Sequence, residues 1–304
     1  MSGTVLILGS HGKIGHHSAI AFAQAGWTLR HYQRGTDMTV AAQGAEVIVN
    51  GLNPPNYHNW AQLIPAITEQ VIAAARSSGA TVIIPGNVYG FGAEGGIWSE
   101  RKPQRPVSRK GQIRKEMEAR YRDSGLRCMV LRAGNFIDPE RNADIMQLFV
   151  LRSLAKGRIT LGGAPDVMQA WCYLPDWARA AVALSAKRDA LQRFEDIPFP
   201  GHSFTMADLK SCLEAARDRP LTFSRFPWGV MRLASPFWEL ARELSEMRYL
   251  WGTPHQLSGA KFDRLLPGFA ATPLTQVMLA GVPAGMRPLN PAKPLVAAAT
   301  PARH

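Results

Sequence analysis

Short apolar, β-branched runs alternate with stretches of helical character through the first half of the chain. Thr4–Leu8, Trp27–Tyr32, Ala45–Asn50, Thr81–Ile84 and Leu126–Leu131 read as strands, and His16–Ala25 and Leu63–Ser77 as helices. Strand and helix in turn predict an α/β fold built on a doubly wound parallel sheet. Between Gly35 and Gln43 there is too little chain for a full helix–strand unit, so the third strand is expected to be trimmed. The rhythm changes near Asp144. Helices are expected at Ile145–Ala155, Pro175–Ala186, Met206–Ala216 and Trp228–Tyr249, with short strands at Arg158–Leu161 and Leu221–Phe226. This predicts a first domain over residues 1–143, to which later segments also add sheet elements, and a smaller α+β substrate lobe over 144–281. From Val282 to 304 Pro, Ala and Gly dominate without apolar periodicity, which predicts a tail that is disordered or laid along the surface.

The first strand runs into Gly9-Ser10-His11-Gly12-Lys13-Ile14-Gly15, a G-x-x-G-x-x-G spacing between strand and helix. Gly9 permits the sharp exit from the strand, Gly12 leaves no side chain before an approaching pyrophosphate, and Gly15 lets the helix pack close to the sheet. The free N–H groups of the helix start face the anion. The alternative is an ordinary glycine-rich turn; the strand before it and the helix after it favour dinucleotide binding. After the second strand come Gln33-Arg34, where an acid would hold the ribose of NAD and a base accepts the extra phosphate of NADP. Arg34 thus points to NADP, with NAD as the alternative, unless it is only a solvated loop charge. Asp37 and Met38 are placed beside the adenine, with helix capping as the alternative for Asp37. Asn53-Pro54-Pro55-Asn56-Tyr57 is expected to be a loop at the ligand-binding edge of the sheet.

The chain has 304 residues, a net charge of +12 and a pI near 10.1. Much of the positive charge lies between Arg101 and Arg132, without zinc-finger, basic-zipper or RNA-binding aromatic spacing. Nucleic acid is therefore not expected as a partner; a solvated helix face or a wall attracting an anionic small molecule is. No apolar run reaches the roughly 18 residues that span a bilayer, and Met1 leads straight into a strand, so a cytoplasmic protein without a membrane partner is expected. A homodimer is compatible with the sequence. Cys128, Cys172 and Cys212 are scattered, predicting buried reduced thiols and no metal site.

Four features together resemble the extended short-chain dehydrogenase/reductase superfamily, the NAD(P)-dependent epimerases and dehydratases. They are Gly9-x-x-Gly12-x-x-Gly15, Val88-Tyr89-Gly90, Arg132-x-Gly134-Asn135-Phe136, and Pro175-Asp176-x-Ala178-Arg179-Ala180; Thr272-Pro273-Leu274 looks like the end of its substrate lobe. The resemblance covers the chain to about Gly281 and implies a Rossmann-like fold. It implies Gly9 to Gly15, Arg34, Asp37, Met38, Asn50, Pro85, Arg114 and Phe136 at the cofactor. It implies Asn87, Asn135, Trp171, Arg248 and Tyr249 at the substrate; Tyr173 is a further candidate, and each of these aromatics has a core role as its alternative.

The catalytic pattern departs from the family. Its Tyr-x-x-x-Lys pair places an ionisable phenol at the substrate and a lysine on the nicotinamide ribose. In the frame Lys110-Gly111-x-x-Arg114, with Glu118 one turn on, Lys110 takes the tyrosine position and Arg114 the lysine position. The alternative frame sets Gly111 and Lys115 there. Either way the tyrosine is missing, and Pro85 and Gly86 stand near the serine position. Lys110, Arg114 and Glu118 share one helix face. Arg114 could hold the ribose but cannot donate a proton. Lys110 could do so only if desolvation or the cationic Arg109, Arg114 and Lys115 loosen its proton. Tyr89 is the other candidate donor, with a structural turn as its alternative role.

Two readings follow. One is an atypical NAD(P)-dependent oxidoreductase or epimerase/dehydratase-like enzyme, acting on a small or sugar-like substrate that the nearby Arg101, Lys102, Arg105 and Arg109 suggest is anionic. The other is a non-catalytic NADP(H)-binding sensor or regulatory protein. The full substrate lobe favours the enzyme; the missing tyrosine and serine favour the sensor.

Overall fold

The computed structural model describes residues 3–141 and 143–287. Strand β1 (Thr4–Leu8) is buried on both faces, with Val5 and Ile7 in one apolar cluster and Leu6 and Leu8 in another. It leads into α1 (Lys13–Gln24), β2 (Thr28–His31), a one-turn α2 (Met38–Ala41) and β3 (Val47–Asn50). Then come α3 (Trp60–Ser78), β4 (Thr81–Gly86), β5 (Gly96–Trp98), α4 (Arg109–Asp123), β6 (Cys128–Arg132) and β7 (Asn135–Ile137). The rest comprises β8 (Arg158–Leu161), β9 (Gln169–Tyr173), α5 (Leu174–Ala186), β10 (Phe194–Pro198), β11 (His202–Phe204), α6 (Met206–Arg217) and β12 (Thr222–Arg225), followed by α7 (Trp228–Ala234), α8 (Glu239–Glu246), β13 (His255–Leu257), α9 (Ala260–Leu265) and α10 (Leu274–Ala280).

Six parallel strands form the main sheet in the order β10-β6-β4-β3-β1-β2. Helices α1 and α5 cover one face through Ile14, Phe22, Trp177 and Ala181; α3 and α4 cover the other through Ile64, Val71, Met117 and Tyr121. The sheet is doubly wound, and only α2 separates β2 from β3; among the described residues no strand lies beyond β2. The order reverses between β1 and β3, which opens a crevice at their carboxyl ends. The chain returns to this sheet with β10, paired in register with β6. Beside it lie a three-stranded sheet (β11-β9-β7) and the pairs β12-β8 and β13-β5.

Several elements differ from the sequence expectation. Helix α1 starts three residues early because Gly12 is its N-cap. The segment expected as one helix over Ile145–Ala155 is a π turn at Met146–Val150 and a 3-10 turn at Leu154–Lys156. Trp228–Tyr249 breaks between Ala234 and Glu239, where Pro236 cannot continue a helix. The supposed loop at Asn53–Tyr57 contains a 3-10 turn, Pro55–Tyr57. Of the expected tail, Val282 is buried and Ala284–Met286 forms a turn, while 288–304 lie outside the described residues. Among the described residues no helix is long and apolar enough to cross a membrane, and no group of side chains is placed to hold a metal ion. The three cysteines are buried and free.

His255 ties β13 to β5. Its ring stacks on Trp98 at 4.5 Å and 7°, Nδ1 donates to the Thr253 carbonyl at 2.8 Å, and Nε2 has no partner. Burial pushes its pKa below the usual 6.5, so the folded protein holds the neutral ring. The unfolded chain binds the extra proton first, and this contribution is complete above about pH 6.5 and declines as pH falls below it. Urea midpoints measured from pH 7.5 to 5 are expected to fall, and less steeply in His255→Gln. Equal slopes would contradict this role.

Candidate functional site: a glycine-loop cleft

At the switch between β1 and β3 lies a cleft of about 900 Å³ lined by Gly9, Ser10, His11, Gly12, Arg34 and Asn53, among others. Gly9 leaves the strand at φ +72°, and its carbonyl accepts the Gly12 N–H at 2.8 Å. A Cβ on Gly15 would stand 2.3 Å from the Gly9 carbonyl oxygen, so only glycine lets the helix approach the loop this closely. Gly12 caps α1 in extended conformation with no side-chain hydrogen bond to the helix start. The leading N–H groups of the twelve-residue α1 therefore meet the cleft without a side-chain acceptor. Ile14 turns into the core, and the Lys13 ammonium contacts Asp138 at 3.3 Å and the Arg141 carbonyl at 3.0 Å.

The cleft runs past the end of β2, where Arg34 is exposed, into a recess of about 480 Å³ formed by Tyr32, Arg34, Asp37, Met38, Gln70 and Ala73. Asp37 caps α2, accepting from Thr39 N at 2.7 Å and Val40 N at 3.3 Å, while lining this recess. Asn50 is engaged beneath the cleft: Oδ1 accepts Leu52 N at 3.1 Å and Nδ2 donates to Tyr121 Oη at 3.3 Å. The uncapped helix start, the bare Gly12 and the basic end of β2 suit a dinucleotide.

At the other end, the loop from Asn53 to Trp60 meets α4. Asn56, Tyr57 and Asn59 are all left-handed, with φ of 52°, 62° and 48°, a concentration of strain beside the cleft. Arg114 donates to Asn53 Oδ1 at 2.9 Å and lies 4.7 Å over the Trp60 ring, while its Nε is buried without a partner. Burial lowers its pKa from the ordinary arginine value, and Tyr89 and Glu118 oppose that. Tyr89 Oη is 3.2 Å from Tyr57 Oη. Burial pushes both phenols above their usual pKa, so both stay protonated. Asn87 Oδ1 accepts Tyr89 N at 3.1 Å, and Tyr249 Oη reaches the Tyr89 carbonyl at 3.5 Å.

Lys110 is 1% exposed, and its ammonium is held by the carboxylates of Glu243 and Glu246 on α8. The charges nearest it are thus negative, where the sequence suggested a cationic neighbourhood from Arg109, Arg114 and Lys115. Lys115 and Arg109 are exposed, so Lys110 and Arg114 of the first frame are the cations α4 turns inward. Glu118 does not serve Arg114 as its main partner. It forms a paired contact with Arg132, at 3.0 and 2.7 Å, and Arg132 also binds Asp196 at 3.0 and 2.7 Å.

The remaining sequence candidates are dispersed. Pro85 lies within β4, and Asn135 and Phe136 in β7. Trp171 is 1% exposed and stacked on Phe204 at 5.2 Å, a core position rather than the expected pocket wall. Arg248 is exposed, 5.7 Å over the Trp228 ring, and Tyr173 packs against the same apolar cluster as Trp171. Arg101 and Arg105 are exposed and do not line the cleft. The sequence places the Asn53–Tyr57 loop at this edge without marking a role for Asn53 or Tyr57, and it leaves Arg141 and the Glu243/Glu246 pair unmarked. The i, i+3 carboxylates on α8 were the one local signal among them.

No family model matches the sequence, and no curated protein does. Among solved structures, the chain is similar to MoeE5 in complex with UDP-glucose and NAD, with a TM-score of 0.72 and 14% identity over 92% of this chain and 97% of that one. It is similar to UDP-glucuronic acid 4-epimerase from Bacillus cereus in complex with UDP-glucuronic acid and NAD, with a TM-score of 0.70 and 15% identity over 91% and 97% of the two chains. A nucleoside-diphosphate-sugar epimerase from Pseudomonas aeruginosa gives 0.69 and 14% over 92% and 96%. The chain therefore has the Rossmann-like fold of the NAD-dependent sugar-nucleotide epimerases.

Proposed function

We propose that this protein is an atypical NAD(P)-dependent oxidoreductase of the epimerase/dehydratase type, acting on a small, sugar-like substrate. The observation that carries the reading is the cleft at the strand-order reversal, where an uncapped helix start and a bare Gly12 face the space leading to Arg34. Gly9 to Gly12 hold the pyrophosphate, Arg34 receives the extra phosphate of NADP, and Asp37 and Met38 border the adenine. When bound, the nicotinamide gives or takes a hydride. Arg114, steered by Asn53, hydrogen-bonds the ribose next to it. Tyr89, protonated and paired with Tyr57, donates the proton that the missing tyrosine would have supplied. Lys110 anchors α8 over this end of the site through Glu243 and Glu246. Sugar nucleotides are the first substrates to try, since similar structures hold UDP-glucose and UDP-glucuronic acid.

The test is dinucleotide-dependent turnover of carbonyls, alcohols and sugar nucleotides by the wild type, Tyr89→Phe and Lys110→Met. A placed proton donor is worth about 10²–10⁴-fold, so Tyr89→Phe is expected to lose that much while remaining folded. Full turnover in Tyr89→Phe and its loss in a folded Lys110→Met would return the proton to Lys110. The sensor reading is favoured by Pro85 at the hydroxyl position and by the neutralised Lys110. Tight dinucleotide binding without turnover of any of these substrates would select it.

A further inference from the structure

The segment after β7 folds back onto the glycine loop. Asp138, fully buried, accepts His17 Nε2 at 3.0 Å, the Glu140 N–H at 3.0 Å and the Arg141 N–H at 2.9 Å, and contacts the Lys13 ammonium. Despite its burial, these donors hold its carboxyl well below the usual carboxylate range. Glu140 Oε2 meets His16 Nε2 at 2.7 Å. The strap at 138–141 is thereby fastened to the start of α1 from both ends, and it delivers Arg141 to the cleft wall.

The Arg141 guanidinium is held by two groups, neither of them a carboxylate: Nη1 donates to the His11 carbonyl, and Nη2 lies 3.0 Å from His16 Nδ1. The carboxylates of the strap are turned elsewhere, Glu140 to His16 and Asp138 to His17 and Lys13. Among the described residues no carboxylate forms an ion pair with Arg141. A guanidinium has five N–H donors, so this one keeps an uncompensated charge and donors to spare beside Gly12. Arg34 lines the same cleft from the end of β2.

We propose that Arg141 is a phosphate clamp, closing on the pyrophosphate of the bound dinucleotide from across the glycine loop, while Arg34 serves only the ribose phosphate. The inference rests on the dinucleotide reading above and adds a binding residue to it. The two arginines then have separable signatures. Arg141→Ala weakens NAD⁺ and NADP⁺ by the same factor, about tenfold or more for a charge-assisted hydrogen bond, and leaves adenosine 2′-monophosphate unchanged. Arg34→Ala weakens NADP⁺ and adenosine 2′-monophosphate and spares NAD⁺. Arg141→Lys, which keeps the charge but not the fork, falls between wild type and Arg141→Ala.

Calorimetric titration of the full chain with these three ligands decides the matter. Unchanged NAD⁺ affinity in Arg141→Ala overturns the clamp. So does an equal loss for adenosine 2′-monophosphate, which would mark a disturbed loop rather than a lost pyrophosphate contact. A wild type that binds neither dinucleotide fails the underlying reading and removes the clamp with it, an outcome distinct from either of these.

Discussion

Arg132→Met is expected to destabilise the protein by about 3–5 kcal/mol, the usual result of removing one partner from a buried ion pair. Arg132 is 1% exposed and joins three elements of the main layer. From β6 it holds Glu118 on α4 and Asp196 on β10, and Nη1 also donates to the Asn87 carbonyl at 2.7 Å. Desolvation works against its charge, and the two carboxylates more than offset that. Methionine would leave Glu118, itself 2% exposed, as an uncompensated buried carboxylate. Adding Glu118→Leu to Arg132→Met is expected to recover part of the loss, since the pair then disappears together. Urea denaturation of the wild type and the two variants reads this directly. A loss below about 1 kcal/mol in Arg132→Met would show that the cluster is solvated and contributes little.

Gly12→Val is expected to abolish dinucleotide binding, by at least about 100-fold, in a chain that still folds. Gly12 has φ −82°, which valine adopts readily. A Cβ there would come 3.2 Å from the Gly9 carbonyl and 3.8 Å from the Gly51 carbonyl, with no other heavy atom within 4 Å. The added methyl groups therefore project into the space meant for the pyrophosphate. Gly15→Val is the contrasting variant, because its Cβ would collide with loop backbone at 2.3 Å and 2.7 Å. It should lose stability as well as binding. Circular dichroism with calorimetry separates the two, and undiminished binding in folded Gly12→Val would show that the loop has another use.

What the sequence revealed was local. The run from Thr4 to Gly15 is one strand, one turn and one helix start, each set by neighbours within a few residues, and β8 matches the expected Arg158–Leu161 at both ends. Strand β10 escaped notice because Phe194-Glu195-Asp196-Ile197-Pro198 has no buried-strand pattern. Its acids are accommodated by Arg132 and Lys261, which lie far away in sequence. The same limit governed the surroundings of Lys110. Arg109, Arg114 and Lys115 are the neighbours of Lys110 in sequence, but its neighbours in space are Glu243 and Glu246, brought by α8. Tyr57 likewise reaches Tyr89 only through the left-handed turn after Pro55, a geometry that Pro-Asn-Tyr does not announce. Arg141 lies a few residues past the Phe136 end of the Arg132-x-Gly134-Asn135-Phe136 motif, and only the folded strap carries it to the glycine loop.

The most direct test of the central claim is a crystal structure of the protein grown with saturating NADP(H). The pyrophosphate is expected against Gly9–Gly12 and Arg141, the ribose phosphate on Arg34, and the nicotinamide toward Asn53, Arg114 and Tyr89. A cleft that stays empty under those conditions, or a dinucleotide bound elsewhere, would contradict it.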